Sequence, residues 1–98
     1  MKLTGVEKVE NCIAGDFVYR YFFDGPWKKK GIQIMAGTGN IKYYADFPRP
    51  LYEVRFSDGT ILKGVESERE FRVIFKRGSG DLEREAFQKR CGEIAGTI

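Results

Sequence analysis

Alternation of apolar and polar side chains is the main structural signal along this chain. Residues 17–23 place four aromatic rings on one side of a strand and the charged Arg20 on the other. The same period of two recurs in residues 31–36, 41–47, 51–57, 60–65 and 71–76. Because successive side chains of a strand point to opposite faces, the pattern predicts about six short strands.

Turn residues separate the predicted strands. Asp24-Gly25-Pro26 ends the first strand, since proline cannot donate to a strand ladder. Asp58-Gly59 lies between residues 51–57 and 60–65 and predicts a tight hairpin, because a type I′ turn needs positive φ at both central residues. Strands joined by such turns favour an antiparallel meander, which curls into a small, partly closed barrel or forms a bent sheet.

The end of the chain changes to a helical pattern. Asp81 is a candidate N-cap, and Glu83 and Glu85 follow where the helix dipole favours negative charge. Apolar residues then recur at helical spacing on one side of residues 82–94, at Leu82, Ala86, Phe87, Cys91 and Ile94. The sequence therefore predicts an α+β fold in one domain, residues 1–98, with a single C-terminal amphipathic helix that closes one open end of a barrel or covers one face of the sheet.

Composition excludes several kinds of chemistry. The 98 residues contain no histidine, so the chain cannot form a Ser-His-Asp or Cys-His catalytic centre or a histidine-ligated zinc site. Cys12 and Cys91 have no metal-ligand spacing, and neither glycine-containing loop matches a nucleotide-binding motif. We expect no enzymatic activity, no metal and no cofactor. Two unpaired cysteines, no signal-like N-terminal stretch and no long apolar run predict a cytoplasmic protein without a membrane contact.

The most distinctive segment is residues 24–31, which place the only tryptophan, Trp27, next to Lys28, Lys29 and Lys30. If this segment is the tip of a hairpin, the lysines can contact phosphates or an acidic partner and the indole can stack on a base or fill a pocket. Alternatively, Trp27 folds back and closes the end of the barrel, and the lysines keep the tip soluble.

A second candidate surface lies on the strands themselves. The net charge of +3 lies entirely in residues 1–65, since acids and bases cancel in residues 66–98. Arg20, Lys42 and Arg55 alternate with core positions and are expected to point outward. Phe22 and Tyr44 either join them on this outer surface or lie beneath the helix, and strand order decides whether the side chains converge.

These features favour a non-catalytic binding module that acts by macromolecular contact. A protein partner is expected, and a small stoichiometric inhibitor of the phage type, or an adaptor, fits the size. The alternative is a nucleic-acid-binding small β-barrel that uses the Trp27–Lys30 tip and the basic strand surface. The expected oligomeric state is a monomer or a homodimer.

Overall fold

The computed structural model describes residues 1–9, 17–37, 39–76 and 78–98, so Cys12 lies outside the described residues. These residues form six strands and two helices in the order β1 (Leu3–Lys8), β2 (Phe17–Phe23), α1 (Lys29–Ala36), β3 (Asn40–Tyr44), β4 (Leu51–Arg55), β5 (Ile61–Val65), β6 (Glu70–Phe75) and α2 (Asp81–Thr97).

All six strands belong to one antiparallel sheet with the order β1-β2-β6-β5-β4-β3. The last four strands form a meander, and the β1–β2 hairpin adds to it through β6. The predicted α+β meander with a C-terminal helix is confirmed. The sheet is open and not a closed barrel, because β1 and β3 each have one strand neighbour among the described residues.

The Asp58-Gly59 signal does mark a hairpin, between β4 and β5, but the turn is not of type I′. The amide of Phe56 donates to the carbonyl of Thr60 over 2.9 Å, which leaves a three-residue loop between them. Gly59 has a φ of 94°, whereas Asp58 lacks a positive φ and accepts the Thr60 amide on its side chain at 3.0 Å. Asp58 therefore stabilises the loop through its carboxylate, as short polar turn residues commonly do.

The prediction of a strand at residues 31–36 is wrong, because this segment lies within helix α1. Ile32, Met35 and Ala36 are buried at helical spacing, while Ile34 is 47% exposed. A short apolar run fits either period, and tertiary packing selected the helical one here. Strand β1 was not predicted, since its sequence mixes apolar and charged residues without clear alternation.

One face of the sheet forms the core together with both helices. Buried strand side chains on this face alternate with outward-pointing ones, and they are Tyr21, Phe23, Tyr52, Val54, Leu62, Phe71, Val73 and Phe75. Phe87 of α2 packs edge-on against Phe75 and Phe56, with ring centroids 5.5 Å apart in both pairs. Helix α1 lies on the same side of the sheet as α2, because it contacts α2 and its Lys29 lies over the ring of Tyr43, which faces the core.

Trp27 fixes the segment between β2 and α1 to this core. Its indole is fully buried and packs against Phe23 and Phe71, at centroid distances of 5.0 and 5.3 Å. Its amide donates to the carbonyl of Glu68, and its carbonyl accepts from the amide of Ser67, at 2.9 and 2.8 Å. These contacts join the segment to the turn between β5 and β6, so that α1 begins on the core side.

Helix α2 is longer than predicted and is rotated relative to the expected face. It spans Asp81–Thr97 with Gly80 as its N-cap, so Asp81 begins the helix and is not its cap. Cys91 and Ala95 are buried, whereas Leu82 is 80% exposed and Ala86 is also exposed. Leu82 and Ala86 were wrongly assigned because five apolar residues spread over a broad arc do not determine which part of it contacts the sheet.

Replacing Trp27 with alanine tests whether the indole anchors the fold. Loss of a fully buried aromatic side chain leaves a cavity, and we expect Trp27→Ala to lower the free energy of unfolding by about 3–5 kcal/mol. Phe47 is an exposed aromatic residue, so Phe47→Ala is the matched control, with a change within about 0.5 kcal/mol. Urea unfolding measures both, and equal effects of the two variants would contradict the anchoring role.

Candidate interaction surface

The sheet has a second face on which neither helix packs, here called the open face. Directly opposed residues of paired strands lie on the same face, so the strand register assigns its side chains. The open face comprises Glu7 of β1, Val18, Arg20 and Phe22 of β2, Glu70, Arg72 and Ile74 of β6, Ile61, Lys63 and Val65 of β5, Leu51, Glu53 and Arg55 of β4, and Lys42 and Tyr44 of β3.

A row of six charged residues crosses the open face from one edge of the sheet to the other. In strand order from β1 to β3 this charged row is Glu7, Arg20, Arg72, Lys63, Glu53 and Lys42, each directly opposed to the next. Neighbouring strands are about 4.8 Å apart, so adjacent members of the row interact across the sheet. The middle of the row therefore contains three adjacent cations.

Two of these three cations have carboxylate partners. Arg20 donates two hydrogen bonds to Glu70, at 2.8 and 3.0 Å, and its guanidinium lies 5.1 Å from the ring centroid of Phe22. Glu53, only 7% exposed, lies 3.6 Å from Lys63 and 3.5 Å from Arg55. Arg72, between Arg20 and Lys63, is exposed and has no ion pair within the described part of the chain.

Apolar side chains flank the charged row on both sides. Ile61, Ile74 and Val18 are directly opposed to one another on β5, β6 and β2, and all three are half-buried. On the other side of the row, Tyr44 opposes Leu51, and Leu51 opposes Val65. An open face of an antiparallel sheet is usually polar, so this many apolar side chains make the open face a candidate contact surface.

A concave region of about 640 Å³ lies on the open face. It extends over β4, β5 and β6, and residues from both the charged row and the apolar flank line it, among them Leu51, Glu53, Lys63, Val65 and Arg72. Its volume falls within the range of about 300–1,000 Å³ that is typical of binding clefts. The open face is therefore not flat at its centre.

Five of the residues proposed from the sequence lie on one face of the sheet, where strand order spreads them over its width. Arg20, Phe22, Lys42, Tyr44 and Arg55 all lie on the open face, and Tyr44 is 43% exposed. The alternative placed Phe22 and Tyr44 beneath the helix, and it is wrong, because both residues lie on the opposite face of the sheet. The outward direction expected for the three cations is confirmed, although Arg20 lies three strands away from Arg55.

The remaining four proposed residues do not belong to this surface. Trp27 is fully buried, so its predicted role as an exposed stacking residue is wrong, and the alternative in which it folds back is correct. Lys28, Lys29 and Lys30 are exposed, but they do not form a hairpin tip: Lys28 is the N-cap of α1, and the helix begins with the other two. Lys29 lies 5.4 Å from the ring centroid of Tyr43, a core-side residue, so these lysines lie on the helix side of the sheet.

Sequence reasoning missed Arg72 and Lys63, which occupy the centre of the charged row. Both alternate with buried residues in their strands, and that period was visible in the sequence. Their importance comes from strand order, because β6 lies between β5 and β2 although β2 is more than forty residues earlier in the chain. The pattern of a single strand contains no such signal.

The grouping and burial of titratable side chains in the described residues bear on metal and nucleophilic sites. No group of three or more Asp, Glu, Cys or His side chains there is placed to hold a metal ion. Burial raises the pKa of the Cys91 thiol to about 12, so the reactive thiolate is disfavoured near neutral pH. Burial also raises the pKa of Tyr21 and of Tyr52, which keeps both phenols protonated.

Comparison of the chain with protein-family models, curated proteins and solved structures finds no match. Neither described helix has the length and apolar character needed to cross a membrane. The cytoplasmic location stays a prediction.

The charged row gives a testable prediction about stability. Arg72→Glu replaces the central cation of three with an anion, and we expect a gain in the free energy of unfolding of a few tenths to about 1 kcal/mol. Lys42→Glu, in the same row, places an anion opposite Glu53 and is expected to destabilise by a similar amount. Urea unfolding at low and high salt measures both changes. A loss of stability in Arg72→Glu would contradict the row.

Proposed function

We propose that this protein is a non-catalytic binding module that contacts a protein partner through the open face of its sheet. The observation that supports this proposal most directly is the set of seven apolar or aromatic side chains on a face that neither helix covers, namely Val18, Phe22, Tyr44, Leu51, Ile61, Val65 and Ile74. Occupying a surface of another protein would make the module a stoichiometric inhibitor or an adaptor.

The mixture of charges on the open face favours a protein partner over a nucleic acid. Glu53 and Glu70 lie among the cations, and both line the concave region. A row of phosphates laid across this face would meet these carboxylates, which oppose the electrostatic attraction on which nucleic-acid binding depends. A protein surface can match both signs of charge and also cover the apolar flanks.

The alternative function, nucleic-acid binding, depended mainly on Trp27, which is not exposed. It relied on an exposed indole next to three lysines, but Trp27 is buried and the lysines are separated from the strand cations by the thickness of the sheet. Stacking platforms for single strands combine exposed aromatic rings with a positive groove on one surface. These two elements are not combined around Trp27.

Site-specific photo-crosslinking tests the proposal. A crosslinking amino acid replaces Tyr44 or Ile61 on the open face, and the matched control replaces the exposed Leu82 on α2. In the source cell, we expect the open-face positions to give a discrete protein adduct that nuclease treatment does not remove. Leu82 is expected to give no such adduct.

The double variant Ile61→Asp and Ile74→Asp provides the second half of this test. Two carboxylates on the apolar flank should abolish the adduct formed from position 44, because they oppose desolvation of the surface. Circular dichroism verifies that the variant is folded. If it is not, Tyr44→Ser, at an edge strand, replaces it, and the adduct is then measured from a crosslinker at position 61. Crosslinks that arise equally from Leu82, or that disappear with nuclease, would contradict the proposal.

A further inference from the structure

The three adjacent cations of the charged row are an unusual arrangement within a single sheet. Arg20 and Lys63 are each directly opposed to Arg72, on β2 and β5. Like charges at directly opposed positions destabilise a sheet. Arg20 is compensated by Glu70 and Lys63 by Glu53, whereas Arg72 has no carboxylate among the described residues within ion-pair distance. Within the part of the chain that the structure describes, the guanidinium of Arg72 at the centre of the open face is thus uncompensated.

The surroundings of Arg72 define what kind of group it can bind. The guanidinium presents several N–H donors in a planar fork that matches a carboxylate, so one acidic side chain can accept two hydrogen bonds from it. Ile74 follows two residues later on the same face of β6, and Ile61 and Val65 lie on the neighbouring strand β5. Apolar contacts are therefore available within about 7 Å on either side of the charge.

The neighbouring carboxylates limit the number of negative charges that this site accepts. Glu70 lies two residues before Arg72 on the same face, and Glu53 lies beyond Lys63 in the row. A single carboxylate placed on Arg72 avoids both, whereas a chain of several anions does not. Charge complementarity thus favours one acidic residue between apolar residues over a polyanion.

We propose that Arg72 is the specificity-determining residue of the open face, and that the partner inserts there an Asp or Glu side chain flanked by apolar side chains. This inference rests on the proposed function, because it names the chemistry of the partner that the open face binds. If the bound segment is extended, its acidic residue and the flanking apolar residues follow the two-residue spacing of a strand.

Selection from a displayed library of random twelve-residue peptides tests the inference on the full-length protein. We expect the selected peptides to share an Asp or Glu with apolar residues two positions before or after it. Their affinity should fall about tenfold or more in Arg72→Gln, since the peptide's carboxylate loses its partner on desolvation. Lys89→Gln removes an exposed cation of α2, on the other side of the sheet, and is the matched control, with a change of less than about threefold.

Exchanging the charges of Arg72 and of the peptide's acidic residue tests whether these two residues contact each other directly. Arg72→Glu should abolish binding of the selected peptide, and a peptide with Lys in place of its acidic residue should regain binding to this variant. Arg72 is exposed, so its replacement is not expected to impair folding. Regained binding supports a direct contact between the two residues.

The other outcomes separate the inference from the proposed function. Peptides that lose binding in Ile74→Asp or Tyr44→Ser but not in Arg72→Gln would overturn the inference and leave the open face as the binding surface. Peptides insensitive to every open-face substitution would overturn both. Tight, steeply salt-dependent binding of a single-stranded oligonucleotide through Arg72, or a dimer that dissociates on Ile74→Asp, would assign the face to a nucleic acid or to a second copy and would also overturn the inference.

Discussion

The packing of Trp27 onto one side of the sheet determines which side remains free. A six-stranded sheet has two faces, and this chain contains enough helix to cover one of them. The indole, held between Phe23 and Phe71, begins α1 on the same side as α2, and the backbone hydrogen bonds to the turn at Ser67 and Glu68 fix that start. All large buried rings then belong to one core, and the opposite face has to be stabilised by its own cross-strand pairs.

Those cross-strand pairs are not optimised for stability alone. Glu70 and Glu53 compensate the cations next to them, but the position between Arg20 and Lys63 holds a third cation where an anion would be more favourable. Residues that lower stability while remaining on an accessible surface are commonly found at functional sites. The apolar flanks are also not optimised for stability, since half-exposed Ile61 and Ile74 contribute less to the free energy of unfolding than they would in a core.

Much of the fold could be predicted from the sequence, because period-two alternation depends on local geometry. The strands β2–β6 follow from it, although the strand predicted over residues 41–47 ends at Tyr44. The Asp58-Gly59 hairpin follows from its turn residues, and the C-terminal helix follows from apolar residues at helical spacing. From the sequence, the segment of α1 could not be recognised as a helix, since Ile32 and Ala36 fit the spacing of both a strand and a helix. The burial of Met35, which fits only the helical spacing, is seen in the structure alone. The predicted and observed numbers of strands are equal because two errors cancel: β1 was missed, and a strand was predicted where α1 lies.

The candidate surface was predicted in part, and the missing part depends on strand order. Arg20, Lys42 and Arg55 could be assigned to an outer surface because each alternates with core residues. The net charge of each segment gave no reason to select Arg72, since acids and bases cancel in the last third of the chain. That cancellation does not hold in space, where β6 inserts Arg72 between two cations from earlier segments while the acids of α2 lie on the other side of the sheet.

Nuclear magnetic resonance with a soluble gadolinium chelate tests the two-faced sheet and its register most directly. The account predicts strong relaxation of the methyl groups of Ile61 and Ile74 and protection of those of Leu62 and Val73, together with cross-strand contacts from Arg72 to both Arg20 and Lys63. Equal protection of the methyl groups of all four residues, or contacts that place Arg72 one residue out of this register, would contradict it.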